Sequence, residues 1–192
     1  AAAGARVFEF AWSDDFAAAR NAALAQARGR WILSLDVDER FAVRDLARAR
    51  AAAAAGDEGR CYLFPFRTYT SQRQHAEWQP VQGEYPEEER GQDGYFVAVN
   101  IRLYPNRPDL RYRNRVHESV EADARRLGLA LQGLDIPVHH YGLARPPAVM
   151  ARKSDLYGRL VRAKFDERPD DTGACLEMAC RLIEEKDIEA AR

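Results

Sequence analysis

The sequence predicts an α/β protein with flanking helices and a helical C-terminal part, and three observations carry that expectation. RVFEFAW alternates as a short strand does, the Ala-rich run DFAAARNAALAQARGR follows it, and the apolar run WILSL comes next. Together they read as strand, helix, strand, the right-handed unit from which parallel sheets are built.

Each element has its own justification. Ser13, Asp14 and Asp15 offer N-cap oxygens ahead of a helix whose Phe16, Ala19, Ala23, Leu24 and Ala27 recur at helical spacing, with Gly29 placed as a C-cap glycine. A second helix is expected over Val43 to Ala55, closed by GDEG. CYLFPFRTYT (61–70) is strand-like, and Pro65 predicts an edge strand or a bulge there. The polar, turn-rich segment 71–94 predicts a long loop of the kind that carries function. YFVAVNIRLYPN (95–106) and RYRNRVHESV (111–120) read as strands, and LALQGLDIPVHHYG (129–142) as a last extended piece. A helix is expected from Met150, DERPDD forms a turn, and a further helix or helical pair begins at Thr172. With Pro169, Ala174 and Ala179, this tail resembles the opening of a tetratricopeptide-type hairpin.

Composition narrows the class. The 192 residues carry 29 Lys+Arg against 30 Asp+Glu, a net charge of -1, which argues against a nucleic-acid surface. No apolar run approaches the roughly 20 residues of a membrane span, and no signal peptide opens the sequence. Cys61, Cys175 and Cys180 have no zinc-type spacing and read as reduced thiols, so the expected compartment is the cytoplasm.

The chemistry concentrates in RWILSLDVDERF, where an apolar strand runs into Asp36, Asp38 and Glu39. Like charges so close must be solvated, matched by a cation, or put to use. On a strand, residues i and i+2 share a side about 7 Å apart, so Asp36 and Asp38 are expected to face one ligand from the strand's carboxyl end. Two carboxylates plus phosphate oxygens suit Mg²⁺ or Mn²⁺. An EF-hand lacks its ligands and glycine here, and Arg40 stands where an aspartyl-phosphate hydrolase carries Thr or Val. A solvated turn capping the next helix is the plain alternative.

Taken whole, WSDDFAAARNAALAQARGRWILSLDVDE (12–39) closely resembles the family 2 glycosyltransferases, through its Asp15-Phe16 step, its Ala19-Arg20-Asn21 triplet and its D-x-D. Weaker resemblance continues to about residue 165. The resemblance implies a partial GT-A (Rossmann-like) mixed sheet with flanking helices, spanning residues 1–148, followed by a C-terminal helical extension at 149–192. It implies transfer of a sugar from a nucleotide-diphosphate sugar to an acceptor, metal-dependent and inverting. Asp38 would hold Mn²⁺ or Mg²⁺, Asp36 would contact the donor, and Arg20 and Asn21 would lie near it. Glu118, after His117, falls where the family carries its acceptor-side acid and is expected to be the base, with Glu88 and Asp93 as competitors. His140, before Tyr-Gly, matches the histidine near metal and diphosphate; His139 is the lesser of the pair. The family's first two strand-helix units, about 60 residues at some 30 per unit, correspond to nothing in this sequence. The complete protein is therefore expected to be the enzyme, and these residues alone inactive. The acceptor (polysaccharide, lipid or peptide) is left open. Trp78, Tyr85 and Tyr95 either stack on a sugar or pack on their own scaffold. The alternative from another class is a nonenzymatic domain that binds a protein partner through the Leu176, Met178 and Leu182 region.

Overall fold

The computed structural model describes residues 4–143 and 147–185. They divide into two compact units, one built on Ala27–Leu110 with Val120–Pro146, the other on Ala1–Gln26, Arg111–Ser119 and Pro147–Arg192.

The first unit is a mixed sheet. Its strands are β1 (Trp31–Leu33), β2 (Glu39–Phe41), β3 (Arg60–Tyr69), β4 (Gln79–Pro80), β5 (Gly94–Pro105), β6 (Ala130–Gly133) and β7 (Val138–His140), in the order β1-β5-β3-β7-β2 with β4 on β5 and β6 on β3. β3 lies antiparallel to β5 and parallel to both β6 and β7. Helix α2 (Val43–Ala55) forms as predicted and sets Ala49 against Phe41, Tyr62, Phe64, Phe66, Leu103 and Val138, the core of this unit. A short helix α3 (Glu121–Arg126), not foreseen in the sequence, precedes β6.

The second unit contains α1 (Phe16–Leu24), α4 (Pro147–Glu167) and α5 (Thr172–Glu184). Asp15 and Asp171 cap α1 and α5 by accepting from Ala18 N and Ala174 N, each at 2.9 Å. Val116, Leu160 and Val161 form its core with Phe16, Leu156, Tyr157 and Met178 packed around them. The Lys164 ammonium, buried on α4, donates to both carboxylate oxygens of Glu177 on α5 at 2.7 and 2.9 Å. The end of the expected tail helix, 186–192, lies outside the described residues.

Several local expectations are corrected. RVFEFAW is not a strand: Val7, Phe8, Phe10 and Trp12 are exposed, and no described strand pairs with them, so alternation alone gave a strand no ladder to join. β1 consequently pairs antiparallel with β5 rather than parallel to a preceding strand. Gly29 caps nothing, because α1 stops at Leu24. The carbonyls of Ala27 and Gly29 instead accept from the Asn106 amide at 3.3 and 2.8 Å. Pro65 sits in an inner strand, not at an edge. It is tolerated because β6 leaves β3 at Leu63 and β7 joins at Phe66, so Pro65 falls in the gap between two neighbours, next to an irregularity at Tyr62/Leu63. RYRNRVHESV is a tight loop closed by one bridge, Arg113 to Ser119, with Asn114 and His117 at φ 72° and 51°. The segment 71–94 is mostly loop, as expected, but it includes β4, which pairs with the start of β5 through Gln79 and Pro80, and it is pinned. Trp78 donates to Thr70 O at 3.0 Å and lies so close to Gly94 that a Cβ there would overlap its ring.

Candidate functional site

β1 ends at Leu33, so Asp36 and Asp38 stand in a turn and not at alternating strand positions; Glu39 N donates to Asp36 O at 3.1 Å to close it. The three carboxylates separate by role. Glu39 is 3% exposed and lies bidentate against the Arg102 guanidinium, at 3.1 Å to Nε and 2.5 Å to the terminal nitrogen, and it also accepts from Asp36 N. Arg102 lies over the Phe66 ring, 4.7 Å from its centroid, and reaches Asp36 at 3.6 Å. One arginine thus offsets the repulsion that the sequence raises. None of these carboxylates caps the next helix, whose N-cap is Ala42 without a side-chain bond.

Asp38 is placed by Tyr141 N, which donates to its carbonyl at 2.9 Å. The β2–β7 ladder sets Glu39 opposite His140, and the β3–β7 ladder sets Thr68 opposite the same histidine. The Thr68 hydroxyl meets His140 Nδ1 at 3.1 Å, which leaves Nε2 facing Asp38 Oδ1 at 4.0 Å. The Asp38 and His140 side chains are 18% and 22% exposed. Gly142 is required beside them: a Cβ would overlap His140 Nε2 and meet Asp38 Oδ2 at 3.1 Å. The described residues contain no group of three or more His, Cys, Asp or Glu side chains able to hold a metal.

Arg20, Asn21 and Glu118 lie in the other unit. The Arg20 Nε donates to Glu118 Oε1 at 2.5 Å, and both side chains are largely buried. The Arg20 guanidinium also lies 5.2 Å from the Tyr112 ring. Asn21 is occupied in a reciprocal pair: its amide donates to Tyr112 O at 3.0 Å and accepts from Tyr112 N at 2.9 Å. This clamp, together with Phe16 N donating to Arg115 O at 2.9 Å, fixes the 111–119 loop on α1. His117, in the left-handed region immediately before Glu118, adds backbone strain of the kind concentrated at functional turns.

The sequence's competitors have structural employment. Glu88 is buried; burial pushes its carboxyl up, but the hydrogen bond from Arg40, a backbone hydrogen bond and the positive charge nearby together outweigh that and hold it below its ordinary value. Asp93 sits exposed in the loop. His139 is fully buried on the sheet face opposite His140, with Nδ1 2.7 Å from the Tyr69 hydroxyl, and burial pushes its pKa down to about 4. Tyr85 and Tyr95 are buried in their scaffold. Sequence reasoning missed Thr68, Arg102 and Gly142; a strand threonine or arginine carries no local signal, and the Tyr-Gly after His140 was the only hint of the last.

A mixed sheet with flanking helices, a carboxylate-bearing turn after one strand and a histidine from another strand beside it define an α/β protein. Residues 2–126, well over half of the chain, match the model of "Glycosyl transferase family 2". The chain belongs to the family 2 glycosyltransferases. It is also 30% identical, over 99% of its length, to a TPR repeat-containing protein of Synechococcus elongatus, and it spans 43% of that relative. No described helix is long and apolar enough to cross a membrane.

Proposed function

We propose that the complete protein transfers a sugar from a nucleotide-diphosphate sugar to an acceptor hydroxyl or other nucleophile on a polysaccharide, lipid or peptide, in a metal-dependent and inverting reaction in the cytoplasm. The observation that carries this reading is the convergence of Asp38 and His140 over a glycine, with Thr68 fixing the imidazole so that Nε2 is presented. Those two residues would hold Mn²⁺ or Mg²⁺, which supplies charge stabilisation for the departing diphosphate. Asp36, tethered by Arg102, orients the donor; Arg20, which the family resemblance places near the donor, also holds Glu118 in position. Glu118 takes the proton of the attacking acceptor hydroxyl as the glycosidic bond forms. Asn21 contributes by holding the loop that carries Glu118.

Isothermal titration of the complete protein with UDP and GDP, with and without Mn²⁺, tests the reading. Binding that strengthens with metal is expected; binding indifferent to metal, or none, would sink it. A second reading has its own support. Leu176 and Ile183 are 65% and 59% exposed on α5, and the relative is named for its TPR repeats. In that reading the C-terminal helices bind a protein partner and no sugar is moved. It requires Asp38→Ala to leave biological activity intact while disruption of the Leu176, Met178 and Leu182 region abolishes it.

A further inference from the structure

The sheet has a second concavity. Thr68 pairs with His140 and Arg67 with His139, and side chains alternate along a strand, so Pro65 and Arg67 look away from the face that carries His140. On that far face lies a cavity of about 530 Å³ with Pro65, Val97 and Pro137 as its apolar floor. Its size falls within the roughly 300–1,000 Å³ usual for small-ligand sites.

The lining has an unusual charge balance. Three arginines, Arg44, Arg48 and Arg67, face three carboxylates, Asp45, Glu84 and Asp135. Arg48 donates to Asp45 at 2.9 Å and to the Asp135 carbonyl at 2.7 Å, and Arg67 is ion-paired with Glu84. Aromatic rings hold two of the guanidinium groups: Arg44 lies over Tyr85, 3.7 Å from its centroid, and Arg67 lies 4.7 and 4.9 Å from those of Tyr85 and Tyr95. Arg44 is half-exposed and no closer than 4.0 Å to Glu84, so its seat over the Tyr85 ring, more than a tight ion pair, holds it. Gln79 adds an amide that both donates and accepts.

We propose that this cavity is a second carbohydrate site, for a short neutral saccharide. Sugar hydroxyls each donate and accept, while the ring's C–H groups need an apolar surface; guanidinium edges, carboxylates, an amide and a proline-valine floor provide all three. An anion would meet as many carboxylates as arginines and would have to displace Glu84 from Arg67. An apolar ligand would leave these charged groups desolvated without partners. Side chains already held by ring contacts and ion pairs lose little freedom when the ligand arrives. The assignment is independent of the Asp38–His140 reading, since the two sites occupy opposite faces of the sheet.

Saturation-transfer NMR and titration calorimetry on the complete protein, without nucleotide or metal, would use maltotriose, cellotriose and chitotriose as probes. At least one is expected to bind with a Kd on the order of 1 mM or tighter. Arg44→Ala and Gln79→Ala, both lining the cavity, should weaken it at least about tenfold. Val97→Trp, which fills the floor, should abolish it, with circular dichroism reporting whether each variant folds. Asp38→Asn should leave saccharide binding intact while removing metal-linked nucleotide binding, so failure of one site is distinguishable from failure of the other. The proposal is overturned if none of the three binds, if folded Arg44→Ala and Gln79→Ala bind as tightly as the parent, or if glucuronate or inorganic phosphate binds in preference to the neutral sugars.

Discussion

Glu39 and Arg102, 63 positions apart in sequence, form a bidentate pair beneath the turn that carries Asp36 and Asp38. Each is nearly excluded from solvent, and the same carboxylate also holds Asp36 N. The pair therefore anchors the turn and screens its remaining charges.

Removing one partner should be costly because it strands the other. Arg102→Ala is expected to destabilise the fold by about 3–5 kcal/mol, read from the urea midpoint. The double replacement Arg102→Met with Glu39→Leu should recover much of that loss in stability, since no buried charge is left. Equal losses in the single and double variants would show that packing, not the ion pair, sets the cost.

Asp38→Asn separates architecture from ligation. The side chain is at the turn, outside the core, so the melting temperature without ligand should stay the same or rise slightly as repulsion with Asp36 falls. Metal with nucleotide should stabilise the parent by roughly 2.7 kcal/mol at a hundredfold excess over Kd, and the variant not at all. A marked drop in ligand-free stability would instead make the aspartates structural.

Thr68→Val tests how His140 is presented. The substitution keeps shape but removes the hydroxyl at Nδ1, and loss of such an orienting bond typically lowers metal affinity about 10–100-fold. Mn²⁺ titration of the complete protein followed by paramagnetic relaxation would show it. Unchanged affinity would mean that His140 takes no part.

Acid should weaken the sheet through His139. Its pKa is held down at about 4 from an ordinary 6.5, chiefly by burial, so between those values the unfolded chain takes up a proton that the native state refuses. Stability is full above pH 6.5 and falls as pH drops through that window, by roughly 3 kcal/mol for 1.36 per unit. His139→Gln should flatten this part of the profile of urea midpoint against pH. An equally steep profile in the variant would assign the loss to other groups.

Much of the fold was legible because its signals are local. Val43 to Ala55 has helical spacing and a closing GDEG, and YFVAVNIRLYPN alternates over a length only a long strand needs. The misreadings share one cause, a distant residue that local pattern cannot report. Asn106 claims the carbonyls around Gly29, β6 and β7 open a gap for Pro65, and Arg102 turns Glu39 inward. The candidate site followed the same division. Asp38 and His140 were legible as residue types in a motif, whereas Thr68 and Gly142 matter only because two strands and a turn bring them alongside.

The adjacent histidines of β7 have a further consequence. One is dry and pinned to Tyr69, the next is partly wet and turned toward Asp38, and strand alternation alone keeps them apart. A slip of one residue would exchange their environments, driving the solvent-facing imidazole into the interior and lifting the buried one out. A single insertion or deletion in the short connection 134–137 would therefore strike the fold and the candidate Asp38–His140 site together. That makes the length of this connection, more than the identity of its residues, the quantity selection must hold fixed.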